Sequence, residues 1–371
     1  MSPFAHTSQT TGLASEPVAS QMVSLVGIRP RHFASHSGYE GFSRYIGTIL
    51  KPPVNFRRGS GSLARLINTV VTSVTHHPGY SLGAFLTEAA AALHMLRRRH
   101  VIYHLLYGDT GLWMLGRVSR MVGGCLVATF HRPPSVLIRY GIDRRRIQDL
   151  AAAILVSDSQ RSHFEGLLPP NRIFVVSHGV DTDFFRPPEE MGDEQVCITV
   201  GAYLRDFETL ALAIHRIWQV KPTMRFVAVG TAHPQDAHFK YLKDKRLDIL
   251  AGVPDEELRL AYQRSRVAIF SLQDSTANNS LLEAMASGLP IVATDVGGVR
   301  QYLGDKAGIL CPARDSEALA NGVLQLLDDP SRRARMGVAG RARALGYDYR
   351  VVADRMREVY SEILSMRAIR S

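Results

Sequence analysis

The apolar positions of this chain come in short bursts separated by longer segments where they recur every three or four residues. Short apolar bursts suit strands buried on both faces, and the longer period suits amphipathic helices, so the alternation predicts doubly wound parallel sheets. In the first half, Val23–Ile28, Val101–Leu106, Cys125–Phe130, Ala152–Val156 and Ile173–Val176 read as strands. A helix is expected from about Glu40, and helical periodicity is clearest over Leu82–Arg99, with Ala and Leu on one face. Lys51–Ser62, dense in Pro, Gly and Arg, reads as a loop. After Pro187-Pro188 the pattern restarts. Val196–Val200, Arg225–Val229, Leu247–Leu250, Val267–Ser271, Ile291–Thr294 and Gly308–Cys311 are strands of a second Rossmann-like unit, and Met336–Ala344 and Arg350–Met366 read as terminal helices.

A chain of 371 residues is too long for one ordinary core and fits two. The expected division is 1–21 as a flexible tail, 22–187 and 188–345 as two Rossmann-like α/β domains, and 346–371 as a C-terminal helix. No Gly-x-Gly-x-x-Gly fingerprint is present, which argues against a plain dehydrogenase. The composition, 46% hydrophobic and 21% charged, is that of a globular protein. No apolar run reaches the ~18–20 residues that cross a bilayer, and the first twenty residues lack a basic start followed by an apolar core, so no secretory signal is expected. Cys125, Cys197 and Cys311 are odd in number, far apart and set in apolar runs. Reduced core residues of a cytoplasmic protein are the expectation, not disulfides or metal ligands.

The net charge of +10 is concentrated in the first half, where residues 1–190 carry 20 Lys and Arg against 12 Asp and Glu. Arg97-Arg98-Arg99 and Arg144-Arg145-Arg146 stand out. Such runs are read first as solvated helix faces and second as a surface attracted to anionic lipid headgroups or to an acidic acceptor. A peripheral contact between this basic half and the cytoplasmic face of a membrane is therefore kept among the expected partners. Nucleic acid is not, because no recognition module is present and the basic residues are not interleaved with aromatics.

The segment richest in chemistry is Asp274-Ser-Thr-Ala-Asn-Asn-Ser-Leu-Leu-Glu-Ala-Met-Ala-Ser-Gly-Leu-Pro-Ile-Val-Ala-Thr-Asp-Val-Gly-Gly298. A loop of small polar residues, 274–280, runs into a short helix expected to begin near Leu281, which Gly288-Leu289-Pro290 stops. Asn278, Asn279 and Ser280 all suit a cap, and Glu283 is expected in the first turn, facing the loop. A helix N-terminus offers free amides and a favourable dipole to an anion, which fits a diphosphate flanked by hydroxyl-rich groups. The same features also occur in an ordinary capped helix.

The run Ser280–Gly298 resembles the donor-site segment of glycosyltransferase family 4, the retaining sugar transferases also described as glycosyl transferases group 1. Two further segments resemble that family in the expected order: His178-Gly-Val-Asp-Thr-Asp-Phe-Phe-Arg-Pro187 its domain-junction signature, and Ala128-Thr-Phe-His131 the strand that ends in an active-site histidine. The resemblance implies the GT-B fold, with two Rossmann-like doubly wound domains facing a central cleft and a C-terminal helix crossing back to the N-terminal domain. Residues 22–187 would bind the acceptor and residues 188–345 the nucleotide sugar. It further implies that Glu283 holds the nucleotide ribose, that His131 bonds the donor sugar and stabilises charge at the anomeric carbon, and that Ser275, Thr276, Asn278, Asn279 and Ser280 surround the diphosphate. His36, Ser37 and Gly38 fall in the loop that approaches the phosphates and acceptor.

Two departures from the family pattern are evident. The first glutamate of its Glu-seven residues-Glu motif is Ser275 here, and Asp274 is the adjacent carboxylate able to reach the transferred sugar. After the strand ending at Val200, the usual Arg position is Ala202 and the Lys is absent. Arg205 is the nearby cation, either a phosphate ligand or a surface arginine paired with Asp206 or Glu208. The function implied is sugar transfer from a nucleotide-diphosphate sugar to a glycan, lipid-linked or small-molecule acceptor, with no further cofactor and no metal. A nucleotide-sugar epimerase on the same fold, or a non-catalytic sugar-nucleotide or polysaccharide-binding protein, are the alternatives.

Overall fold

The computed structural model describes residues 23–27, 36–47, 49–50, 62–75, 77, 80–98, 100–190, 192, 194–230 and 244–368. The expected tail 1–21 and the loop 51–61 lie outside these residues.

Two six-stranded parallel sheets form the scaffold. The first contains β1 (Val23–Val26), β2 (Ile49–Leu50), β3 (Ile102–Leu105), β4 (Cys125–Phe130), β5 (Ala152–Leu155) and β6 (Ile173–Val175), in the order β2-β1-β3-β4-β5-β6. The second contains β7 (Val196–Val200), β8 (Arg225–Val229), β9 (Leu247–Leu250), β10 (Val267–Phe270), β11 (Ile291–Thr294) and β12 (Gly308–Cys311), in the order β12-β11-β10-β7-β8-β9. The order reverses between β1 and β3 in one sheet and between β7 and β10 in the other. Loops diverge at such switch points and leave a crevice beyond the strand C-termini. The central strands β3, β4, β5, β7, β10 and β11 are buried along their whole length, which is why their sequences read as largely apolar runs. Cys125, Cys197 and Cys311 are free thiols buried among them.

Three sequence expectations are corrected. The helix expected from Glu40 is a 3-10 helix, Tyr39–Tyr45. Ser62, assigned to a loop, opens the helix Ser62–Thr75, which the sequence reading did not anticipate, and β2 was not anticipated either. Arg132-Pro133-Pro134 after His131 reads as an extended loop from its prolines, but it ends at once: Pro133 is the N-cap and Pro134 the first residue of the helix Pro134–Arg139, a position where the missing N–H costs nothing.

The last helix, Tyr349–Ala368, packs on the N-terminal sheet. Val352, Ala353, Met356, Val359, Tyr360 and Ile363 share a core with Leu25, Ile102, Val127 and Ile154. The Tyr360 hydroxyl lies 2.6 Å from Nδ1 of the buried His104 on β3. Tyr349 donates to the carbonyl of Gly38 at 2.7 Å, tying the helix to the loop beyond β1.

Candidate active site

After β10, residues 271–278 cross the edge of the C-terminal sheet and enter the helix Asn279–Ala286. The cap is Asn278, whose Oδ1 accepts the amide of Leu281 at 3.3 Å. The helix therefore starts two residues before Leu281, and Glu283 falls in the second turn, not the first. Amides at the first helical positions have no intrahelical acceptor. Asn278 is buried, and its Nδ2 has no hydrogen-bond partner.

Glu283 is almost completely buried. Its carboxylate accepts from the Tyr262 hydroxyl at 2.9 Å and, across the cleft, from Ser37 Oγ at 2.5 Å. Burial pushes its pKa up, opposed by these two hydroxyls. Tyr262, on the helix Asp255–Arg264, was not singled out from the sequence, and nothing in that charged helix marks it as a partner for a residue 21 positions on.

Arg205 is not a surface arginine. It is buried, and burial lowers its pKa to about 10. Nη2 donates to the carbonyl of Val200 at 2.6 Å and lies 3.4 Å from Asn278 Oδ1, while Asp206 caps the next helix by accepting the Thr209 amide at 3.1 Å. The cation thus sits beneath the loop, between the end of β7 and the cap of the Asn279–Ala286 helix.

On the opposite wall, β4 delivers His131. Its amide donates to Asp109 Oδ2 at 2.8 Å and Oδ1 at 3.1 Å, and its Nε2 lies 2.8 Å from the carbonyl of Leu106. A carbonyl only accepts, so Nε2 carries the proton and Nδ1 is the acceptor of the neutral ring. The ring meets Tyr39 edge-on, with centroids 4.6 Å apart. Burial lowers its pKa to about 4 and raises that of buried Asp109 to about 6. Asp109 was missed from the sequence, although its place just beyond the C-terminus of β3, in the short helix Gly108–Gly111, could have flagged it. A pH titration followed by NMR is expected to show the His131 imidazole neutral from pH 8 down to about 5, because its folded pKa lies below that window. A ring titrating near 6.5 would contradict this environment.

The two walls meet directly. Thr276 Oγ1 donates to the carbonyl of His131, and Ser135 Oγ donates to Asp274 Oδ2 at 3.1 Å. Gln301 Oε1 accepts from Ser157 Oγ and from the Asp158 amide, both at 2.9 Å. Tyr302 accepts the His178 amide at 2.7 Å and donates to the carbonyl of Val156 at 2.6 Å. Thr276 is thereby bonded to the His131 backbone, and Asp274 to Ser135 four residues further along the same wall. Arg205, Asn278, Ser280 and Glu283 cluster around the helix start. Ser275 is buried, and its carbonyl accepts the Gly298 amide at 2.8 Å, so its backbone does more here than its hydroxyl. Asn279 opens the helix at the same edge.

Residues 194–329 match the family described as Glycosyl transferases group 1. The chain is 28% identical over 264 residues to the alpha-maltose-1-phosphate synthase of Mycolicibacterium smegmatis, covering 60% of this chain and 66% of that one. It is 24% identical over 255 residues to the D-inositol 3-phosphate glycosyltransferase of Corynebacterium aurimucosum, covering 61% of this chain and 60% of that one. The chain thus spans slightly less than two thirds of the length of these relatives. Among solved structures, that of Anabaena Alr3699/HepE in complex with UDP superposes with a TM-score of 0.64 at 14% identity, covering 91% of this chain and 99% of that one. The fold is GT-B, two facing parallel α/β units. The match to the glycosyl transferases group 1 family lies in the second of these units, running from β7 to the helix Ser316–Asp328.

Proposed function

We propose that the protein is a retaining, metal-independent hexosyltransferase that moves a sugar from a nucleoside-diphosphate sugar to a glycan, lipid-linked or small-molecule acceptor. The observation that carries this reading is Glu283, a buried carboxylate one turn inside a helix N-terminus at a sheet switch point, facing the N-terminal wall that presents His131. Glu283 would take the ribose hydroxyls in place of Ser37 Oγ, and the diphosphate would lie on the amides around Asn278, Asn279 and Ser280 with Ser275 and Thr276 beside it. The charge of Arg205 lies under that loop. It acts on phosphate either through the field at the helix start or by turning from the Val200 carbonyl.

Transfer would then rely on positioning and electrostatics. Negative charge gathers on the diphosphate as the glycosidic bond loosens, and prepaid amide dipoles stabilise it. In the front-face route that the family resemblance implies, the leaving diphosphate takes the acceptor proton, so no separate carboxylate base is needed. Asp274 and His131 flank the place where positive charge develops. The name of the Corynebacterium relative supports sugar transfer, and the UDP held by the Anabaena protein supports a nucleotide donor. No described helix is long and apolar enough to cross a membrane. A cytoplasmic setting with peripheral contact to an anionic bilayer is part of the proposal. It is supported by exposed Leu93 and Leu96 next to Arg97 and Arg98 at the end of the helix Leu82–Arg97, and by exposed Val70 and Val74 on the helix Ser62–Thr75.

Steady-state kinetics test the assignment of roles. Asp274→Asn and His131→Ala are expected to lower kcat by roughly ten- to a hundredfold with donor affinity nearly unchanged, since their interactions strengthen only in the transition state. Ser275→Ala is expected to do little. Trivial effects at both Asp274 and His131 would remove them from the chemistry.

A further inference from the structure

Behind His131, a run of buried hydrogen bonds leads away from the cleft to the last helix. Tyr39 lies at the near end. Its hydroxyl is 2.9 Å from Thr129 Oγ1 on β4, and Thr129 Oγ1 is 2.7 Å from Nε2 of His104 on β3. His104 Nδ1 in turn lies 2.6 Å from the Tyr360 hydroxyl. All four side chains are buried. Burial lowers the His104 pKa to about 3, so the ring is neutral, with one N–H and one acceptor nitrogen. Either tautomer completes the run. Tyr360 donates to Nδ1 while Nε2 donates to Thr129, or Thr129 donates to Nε2 while Nδ1 donates to Tyr360. A buried hydroxyl or ring nitrogen left without a partner is unfavourable, so the four groups hold one another in place.

Tyr39 passes this constraint to the site. Its ring meets His131 edge-on at 4.6 Å, and Tyr107 at 5.1 Å and His178 at 5.8 Å close around the same imidazole. The bond from Nε2 to the Leu106 carbonyl fixes one atom of that ring but not its plane, which the surrounding rings must set. The last helix also holds the backbone around Tyr39, through Tyr349 on the Gly38 carbonyl and Arg357 on that of Tyr45. We propose that Tyr39, Thr129, His104 and Tyr360 are positioning residues for His131, so that a hydroxyl of the last helix helps to orient the imidazole at the cleft. The consequence for turnover rests on the reading that His131 contacts the donor sugar. Misorientation then lowers the rate and spares donor binding, which residues 275–283 of the opposite wall supply.

Kinetics, calorimetry with nucleoside diphosphates and nitrogen NMR of the histidine rings test this on the full chain. Thr129→Val removes the central hydroxyl at nearly constant shape, and Tyr360→Phe removes the hydroxyl at the far end of the run. Both are expected to lower kcat by roughly three- to tenfold, with nucleotide affinity within about twofold of wild type. The His131 ring signals, assigned by their absence from His131→Ala, are expected to show the Nε2–H tautomer alone in wild type and a mixture in both variants. Thr129→Ser restores a hydroxyl and is expected to recover most of the turnover and the single tautomer. Ile363→Val trims the same helix at a core contact outside the run, and is expected to lose stability but keep kcat and the His131 spectrum. Should Thr129→Val not fold, Tyr360→Phe and Tyr39→Phe carry the test. Unchanged turnover and spectra in the folded variants, losses that Thr129→Ser does not recover, or equal losses in Ile363→Val would overturn the proposal. A protein that transfers no sugar, yet whose His131 spectrum changes in the variants as expected, would uphold the positioning and sink the donor-sugar reading.

Discussion

Glu283→Ala is expected to weaken binding of the cognate nucleoside diphosphate by roughly ten- to a hundredfold. The carboxylate is enclosed, and its two present partners are hydroxyls, Ser37 Oγ at 2.5 Å and the Tyr262 hydroxyl at 2.9 Å. A ribose diol offers the same donor chemistry as Ser37, so donor entry exchanges one hydroxyl for another without stranding the charge. Hydrogen bonds to a charged group contribute about 1.5–3 kcal/mol, which sets the expected range. Glu283→Gln keeps the shape and one acceptor oxygen and is expected to fall between the variant and wild type. Calorimetry with matched melting curves distinguishes lost binding from lost folding. Unchanged affinity in a folded Glu283→Ala protein would remove Glu283 from the site.

Gly298→Ala is expected to be more damaging, because it acts on the loop as a whole. A Cβ there would lie 2.0 Å from the Thr276 carbonyl oxygen and 2.5 Å from Ser157 Oγ. At neighbouring Gly297, with φ +51°, a Cβ would lie 1.8 Å from the Ser275 carbonyl oxygen. The two carbonyl contacts are with backbone, which cannot rotate aside as the Ser157 side chain can. The loop 274–278 must move, and with it the Thr276 bond to His131 and the Ser275 bond to Gly298. Overpacking of this kind costs about 1–3 kcal/mol in stability, and turnover is expected to fall by about a hundredfold or more, since displacement near 1 Å suffices for that. Denaturant unfolding together with initial rates provides the check. A variant as stable and active as wild type would show that the loop does not depend on this close approach.

The strands were the most legible part of the chain. β7, β8, β9, β11 and β12 have the bounds the sequence predicts; β7 and β11 are buried along their whole length and so largely apolar, whereas β8, β9 and β12 are only partly covered and show as shorter apolar clusters. Short or one-sided elements carried a weaker signal: β2 has two residues, and the helix Ser62–Thr75 adjoins a stretch rich in Pro, Gly and Arg. At the site, the loop and its helix were visible in a run of small polar residues ended by Gly288-Leu289-Pro290. What the sequence could not supply were partners distant along the chain. Ser37 reaches Glu283 across 246 positions, and His36 Nδ1 lies 2.8 Å from Asp181 Oδ2 across 145. The fate of Arg205 was equally hidden, since whether it faces solvent or the end of β7 is settled by tertiary packing.

The central claim, sugar transfer from a nucleotide donor, is tested most directly by incubating the protein with a panel of labelled nucleoside-diphosphate hexoses, with and without acceptor extracts, and resolving the products by anomeric configuration. The account predicts acceptor-dependent release of nucleoside diphosphate from one donor, a product that keeps the donor's anomeric configuration, and activity that persists in chelator. Conversion of the donor without an acceptor, an inverted product, or binding with no turnover of any donor would contradict it.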